Sequence, residues 1–526
     1  MEKLKCLNKA KIVKGGLTVQ KKKVLTFLTI TLLIIASFCA GYTIASSSNT
    51  FTISSGIYPG SHTYTIYKEG STYYAKNAYG AIDYSGTDAS TVIQSAINAL
   101  TSSGKIYIKA GDYSPPTFTV VTIDKTGVEI EGEIGKEGAP IIRNIGFRIK
   151  QGWCVLKNLR LIDDTESVGS KGIYINQDAS PYGHIQRVTI ENVEISKFDY
   201  GIINDNVNKA VFGLIIRDVR SECRSGDLWL YYAIPLVEYF IADHANYAQT
   251  LDDYAIKIYG TGPLGGGGYL NHVEAMSAKR GIHLMNHLQI WADYLHADSC
   301  AGNGITIEKC DESTFRMLRS TLNGGWGLGI GSCEKTDFIE AHINDNQGHG
   351  VSMGTKSGEP FGCRGVNIIG FQIFNNKQGG IIVYSVDTDN YSTDIFVDDC
   401  ILNGNGAGTS WANIHAYSPS KITVGKAICR GGSNIPLGEN VMVIGQVISD
   451  VGLAKNSGTA TIPSGQTSVT VNHGLAGTPT VVIVTGTTSD TKDAYVSAKT
   501  STTFTITVPS PVGGDRTVYW YAEYKP

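Results

Sequence analysis

Four histidines crowd one short stretch, His272, His283, His287 and His296, in company with Glu274 and Asp293. Imidazoles and carboxylates at that density suit metal ligation or proton transfer. His283-Leu-Met-Asn-His287 lacks the glutamate of a His-Glu-x-x-His metalloprotease helix, and its surroundings read as a strand end. Ordinary structural histidines are the competing reading. A further histidine, His349, sits in Gly348-His349-Gly350-Val-Ser-Met-Gly. Acidic groups at Asp163-Asp164-Thr-Glu166, Asp252-Asp253, Asp387-Thr-Asp389 and Asp398-Asp399 offer oxygen ligands for calcium, the one cofactor the sequence suggests. None carries a full ligand spacing of the EF-hand kind, and solvated loops are the competing reading. Gly260-Thr-Gly262-Pro-Leu-Gly265 matches GxGxxG in form only. Pro263 and the lack of a following helix make it a loop.

What positions these groups is a repeat. Gly281-Ile-His-Leu, Gly304-Ile-Thr-Ile, Gly327-Leu-Gly-Ile and Gly350-Val-Ser-Met follow one another at steps of 23 residues. Looser copies begin at Gly172, Gly201 and Gly380, and Asn323, Asn346, Asn376 and Asn403 precede the next glycine. Helical solenoids need longer units with a 3.6-residue period. Short apolar alternation with Asn and Gly corners fits one coil of a parallel β-helix, which stacks equivalent residues about 4.8 Å apart. One residue before each glycine, the register files Arg280, Asn303, Trp326, His349 and Gly379 in a column. An aromatic plane flanked by hydrogen-bonding groups suits sugar faces and hydroxyls. Arg280, Asn303, Trp326 and His349 are therefore the expected substrate-binding stripe, against the alternative of a merely solvated face. Cys310 and Cys333 become neighbours, either an inward ladder of small thiols or a disulfide that parallel side chains would strain.

Upstream, Ala89, Val92, Ile93, Ala96, Ile97 and Leu100 form one stripe, which predicts a helix over 88–100 capped by Thr87 or Asp88. Such a helix can lid the open end of a coil stack. Downstream of the stack, about six Thr/Val-rich strands in 454–526 predict a small antiparallel sandwich. Residues 224–269, dense in Tyr and Trp, form the longest break in the register and could wall a glycan groove or seat a second subunit of a homo-oligomer.

The run from Tyr73-Tyr-Ala-Lys-Asn through Asp88-Ala-Ser-Thr-Val-Ile-Gln-Ser-Ala-Ile to Gly104-Lys-Ile-Tyr-Ile-Lys-Ala-Gly-Asp-Tyr resembles the opening of pectate-lyase-superfamily, pectin-lyase-like β-helix proteins. It is similar in particular to archaeal surface versions. The resemblance covers about residues 70–430. It implies an all-β fold: a right-handed parallel β-helix with an N-terminal capping helix, followed here by the β-sandwich. Gly348-His349-Gly350 also resembles an element of polygalacturonases, whose catalytic carboxylates would stand in the same column before the histidine. Here those places hold Asn303 and Trp326, and the family's Arg-x-Lys element is replaced by Gly379-Gly-Ile-Ile-Val. Glycoside hydrolysis needs two flanking carboxyl groups, so a corner role suits His349 better than hydrolysis. Elimination needs less: a base and neutralisation of a uronate carboxylate. Arg280, His283 and His349 are the candidate catalytic residues on that reading.

Lys+Arg (44) and Asp+Glu (47) nearly cancel, and charged residues make up only 17% of the chain, which argues against nucleic acid as partner. A basic tail over 1–23 leads into the uncharged segment Val24–Ala45, either a signal peptide or a membrane anchor, which predicts export to the cell surface. Residues 46–70 read as linker and first strands, 71–450 as β-helix and 454–526 as sandwich. The expected partner is an extracellular polysaccharide or cell-surface glycan, with the membrane added if the segment is uncleaved. A polysaccharide lyase or glycoside hydrolase is the enzymatic reading, and a non-catalytic adhesin or spike the alternative.

Overall fold

The computed structural model describes residues 62–524 except 136–137, 177–183, 207–208, 246–252, 261–266, 356–358, 360, 385–390, 433–436, 450–454 and 476. The tail, the Val24–Ala45 segment and most of the linker lie outside the described residues.

The main body is a right-handed parallel β-helix. One long sheet gathers the outer coil strands from Tyr64–Glu69 to Val441–Ser449, and a second, twelve-stranded sheet runs from Thr119–Ile123 to Ile414–Ala416. The glycine repeats lie on the second sheet. Ile282, Ile305, Leu328, Val351 and Ile381 pair in sequence along it and are buried. On the long sheet, Asn192, Tyr239, His272, Tyr294 and Met317 take left-handed φ values of 50–62° in mid-strand, which bend the coil there. The bend lets each coil wrap round one continuous apolar core.

Asparagine amides lock one corner. Asn323 Nδ2 donates to Asn346 Oδ1 at 2.9 Å, Asn346 to Asn376 at 2.8 Å and Asn376 to Asn405 at 2.9 Å, all buried. The last rung is Asn405 rather than the expected Asn403, which is exposed. Asn403 pairs with Phe374 on the previous coil, two residues before the corner, so Asn405 is the residue that matches Asn376.

Cys310, Cys333 and Cys363 are free and fully buried, the inward ladder rather than a bridge. Burial pushes the Cys363 thiol up to about 12. The helix spans Ala89–Ala99, with Asp88 as its cap accepting from the Ser90 and Thr91 amides. Its buried face is Ala89, Val92, Ile93, Ala96 and Ile97.

Residues 224–269 are not a break. Gly226–Leu230 and Tyr254–Tyr259 are regular strands, with Ile202, Leu228, Ile256 and Ile282 in register. Beyond the stack, two three-stranded antiparallel sheets enclose Ile462, Val471, Phe504, Ile506, Val518 and Trp520.

Candidate active-site face

Side chains alternate along a strand, so the residue two after each repeat glycine points outward. Strand pairing files Arg148, Tyr174, Ile203, Trp229, Lys257, His283, Thr306, Gly329, Ser352, Ile382 and His415 up the second sheet. The predicted column one residue before the glycines is also in register, since Gly281, Gly304 and Gly327 donate to the Asn303, Trp326 and His349 carbonyls. Its side chains do not share one surface. Trp326 is 40% exposed, whereas His349 is fully buried.

His283 is the centre of a chain of polar contacts. Its Nε2 lies 3.0 Å from Glu308 Oε2 and its Nδ1 lies 2.9 Å from Tyr259 Oη. An ionised carboxylate only accepts, so the Nε2 proton belongs to the Glu308 contact and Nδ1 accepts from the Tyr259 hydroxyl. Tyr254 packs at 4.8 Å from the imidazole and hydrogen-bonds Thr306 at 2.8 Å. Burial pushes the Tyr259 phenol well above its ordinary value. Lys257, directly before His283 in the column, lies 3.9 Å over the Trp229 ring and pairs with Asp253. The Arg280 guanidinium sits 5.8 Å from the Tyr254 ring centre.

Beside this chain the surface sinks into a groove of about 320 Å³. Thr306, Gly329 and Ser352 form its floor on three successive coils. Glu308 and Tyr384 stand at either end of the Gly331–Gly354 run, and Trp326 lies against Gly329. His349 stands behind Tyr384: its Nδ1 accepts from the Gly379 amide at 2.9 Å, so its Nε2–H donates to Tyr384 Oη at 2.7 Å. Burial pushes this histidine down to about 4, and its neutral ring fixes the orientation of the Tyr384 hydroxyl. His349 is therefore a positioning group out of reach of a ligand in the groove.

The remaining histidines separate. His272 and His296 stand on the long sheet, where His272 stacks between Tyr239 and Tyr294 at 4.2 and 4.6 Å and meets Glu274 at 2.9 Å. His287 is buried, its Nε2 on the Ile258 carbonyl at 3.0 Å. Among the described residues no group of three or more His, Cys, Asp or Glu converges as a metal set. Asp164 pairs with Lys197 at 3.0 Å, Asp399 with Lys426 at 2.9 Å, and Asp163 accepts from the amides of its own turn. The described acidic groups thus do not fit a calcium site. Asp252, Asp387 and Asp389 lie outside the described residues.

Glu308, Lys257, Tyr384 and Gly329 were not singled out from the sequence, and Tyr259 entered only as one of the aromatics of 224–269. The 23-residue step would have found Glu308 beside the glycine run of the next two coils, because it stands four residues after Gly304 as Gly331 does after Gly327.

No protein-family model matches the chain, and no curated protein matches it. Among solved structures, the chain is similar to the Azotobacter vinelandii mannuronan C-5 epimerase AlgE4 A-module, with 17% identity over 68% of this chain and 96% of that one and a TM-score of 0.46. It is also similar to the alginate lyase AlyF-OU02, with 12% identity, 67% and 85% coverage and a TM-score of 0.39. The Dettilon tailspike protein shows 11% identity, 84% and 92% coverage and a TM-score of 0.36. At these identities no residue of the site is carried across from any of them.

Proposed function

We propose that the chain is an exported surface protein that binds an acidic extracellular polysaccharide along its second sheet and cleaves it by elimination. The observation that supports this most directly is the His283 imidazole held between Tyr259 and Glu308, next to Lys257 and Arg280. A uronate carboxylate near these two cations would have its charge offset, which acidifies the proton on the adjacent carbon. Tyr259 takes that proton as its own moves to His283 Nδ1, and Glu308 stabilises the imidazolium that results. The electron pair left on carbon forms the new C=C bond as the glycosidic oxygen departs from the β-carbon and takes a proton from the Tyr259 hydroxyl, which regains one from His283 Nδ1, so the site ends as it began. Trp326 offers a face for a neighbouring sugar ring. The uncharged Val24–Ala45 segment supports export.

The test is incubation with a panel of uronate polymers, following ultraviolet absorbance of unsaturated products with and without chelator. Product from wild type, lost in His283→Gln, is the expected result. No product from any polymer, with binding retained, would leave an adhesin in place of a lyase.

A further inference from the structure

The face described above does not end at Tyr384. The Tyr384 ring stacks on Tyr417 at 5.3 Å with planes 9° apart, and Tyr417 meets His415 edge-on at 4.5 Å. Beside them opens a second cavity of about 470 Å³, lined by Trp411, His415, Tyr417 and Glu439 among others. His415 is the last residue of the outward column, so this cavity continues the same face one coil on from Ile382.

The chemistry of the two ends differs. Around His283 stand two cations, Arg280 and Lys257, the latter paired with Asp253, beside the Glu308 carboxylate. Among the described residues the second cavity is lined by no Lys or Arg, and the carboxylate of Glu439 there would repel an acidic sugar. His415 Nδ1 accepts from the Glu439 amide at 3.0 Å, and burial pushes that ring below its ordinary value, so it adds no positive charge at neutral pH. Trp411 is held by edge-on packing with His349 at 4.6 Å, and Tyr417 is 38% exposed. An aromatic pocket whose described lining carries no cation takes the C–H face of a neutral pyranose.

We infer that the Trp411–Tyr417 cavity is a second saccharide subsite that takes uncharged sugar, so that the glycan served by this face carries neutral residues alongside its uronates. This rests on the reading of the His283 end as the acidic-sugar site, but the two can fail separately.

Binding of hexasaccharides of glucose, mannose, galactose and xylose, and of an oligouronate, is measured by calorimetry on the full chain together with three variants. Wild type should bind at least one neutral hexasaccharide. Tyr417→Ala should weaken that binding about tenfold and leave the oligouronate unchanged. Lys257→Ala should do the reverse. Trp411→Phe, which keeps an aromatic against His349, guards against a folding defect and should weaken neutral binding less than Tyr417→Ala. Neutral binding that depends on Tyr417, with no elimination by wild type, would overturn the lyase and support this subsite. Absence of neutral binding to folded wild type, or neutral binding indifferent to Tyr417→Ala, would overturn the subsite whatever the fate of the lyase.

Discussion

His283 Nε2 stands 3.0 Å from the Glu308 carboxylate although 25 residues separate them, because Glu308 lies one coil further along the same face. The contact fixes which imidazole nitrogen is free to take a proton from Tyr259. Glu308→Gln removes the charge that stabilises an imidazolium while keeping the side-chain shape. Elimination should fall at least about a hundredfold, the usual worth of one positioned acid–base group. Oligouronate affinity should change less than about threefold, because Lys257 and Arg280 are untouched. Initial rates and calorimetry on the same preparation check both halves.

Asn346 occupies the middle of the amide ladder. Its Nδ2 donates to Asn376 Oδ1 at 2.8 Å and to the Ser320 carbonyl at 3.0 Å, and its Oδ1 accepts from the Asn323 amide at 3.0 Å. Asn346→Ala strands several buried groups, each worth about 1–3 kcal/mol when unsatisfied. A loss of roughly 3 kcal/mol is expected in urea denaturation. Asn403→Ala, on an exposed side chain, should leave the midpoint within error.

The 23-residue register made the fold legible because a solenoid repeats its corners. The glycines, the asparagine rungs and the Cys310–Cys333 neighbours all follow from counting. The site was half legible for the same reason. The counted column Arg280–Asn303–Trp326–His349 is real in the backbone, but a residue at a corner can turn its side chain either way. His349 turns in to meet Tyr384 and Trp326 stays out. Side-chain direction is fixed only three residues later, on the flat strand that carries His283. Tyr259 was noticed only as one of many aromatics, because its coil stands 26 residues from that of His283, as Lys257 pairs with His283, and so falls outside the 23-residue count. Asn403 was misassigned because it directly precedes a glycine yet stands two residues before the corner, in the place of Phe374 on the previous coil.

Burial pushes both His287 and His349 down to about 4 from an ordinary 6.5. The folded state keeps these rings neutral, while the unfolded chain takes up protons below about 6.5. The stability tied to their neutral forms is thus fully present above that value and is lost as pH falls towards 4. The loss is on the order of 3 kcal/mol per ring. His287→Leu removes one titrating group and should flatten the fall in urea midpoint between pH 7 and pH 4.5 relative to wild type. An unchanged slope would show that His287 is not held neutral.

Two glycines on one strand run make opposite predictions. At Gly327 an added Cβ would lie 2.3 Å from Ile343 Cγ2 and 2.7 Å from the Asn346 amide nitrogen, so the coil corner has no room for any side chain. Gly327→Ala should destabilise by about 1–3 kcal/mol as the core and the ladder are forced apart. At Gly329, two residues on, the same atom would meet Thr306 and Trp326 at ordinary contact distances of 3.6 Å, and its backbone is not left-handed. Gly329→Ala should therefore be neutral in stability. Gly329→Phe projects from the groove floor between Thr306 and Ser352, where a strand tolerates an aromatic but a sugar ring would no longer fit. It should keep the wild-type melting temperature and lose glycan binding at this groove. Thermal melts paired with calorimetry on the three variants read the result. Glycan binding that survives Gly329→Phe intact would remove the groove from the site, whereas loss of folding only at Gly327 would show that one glycine serves the coil and the other the ligand.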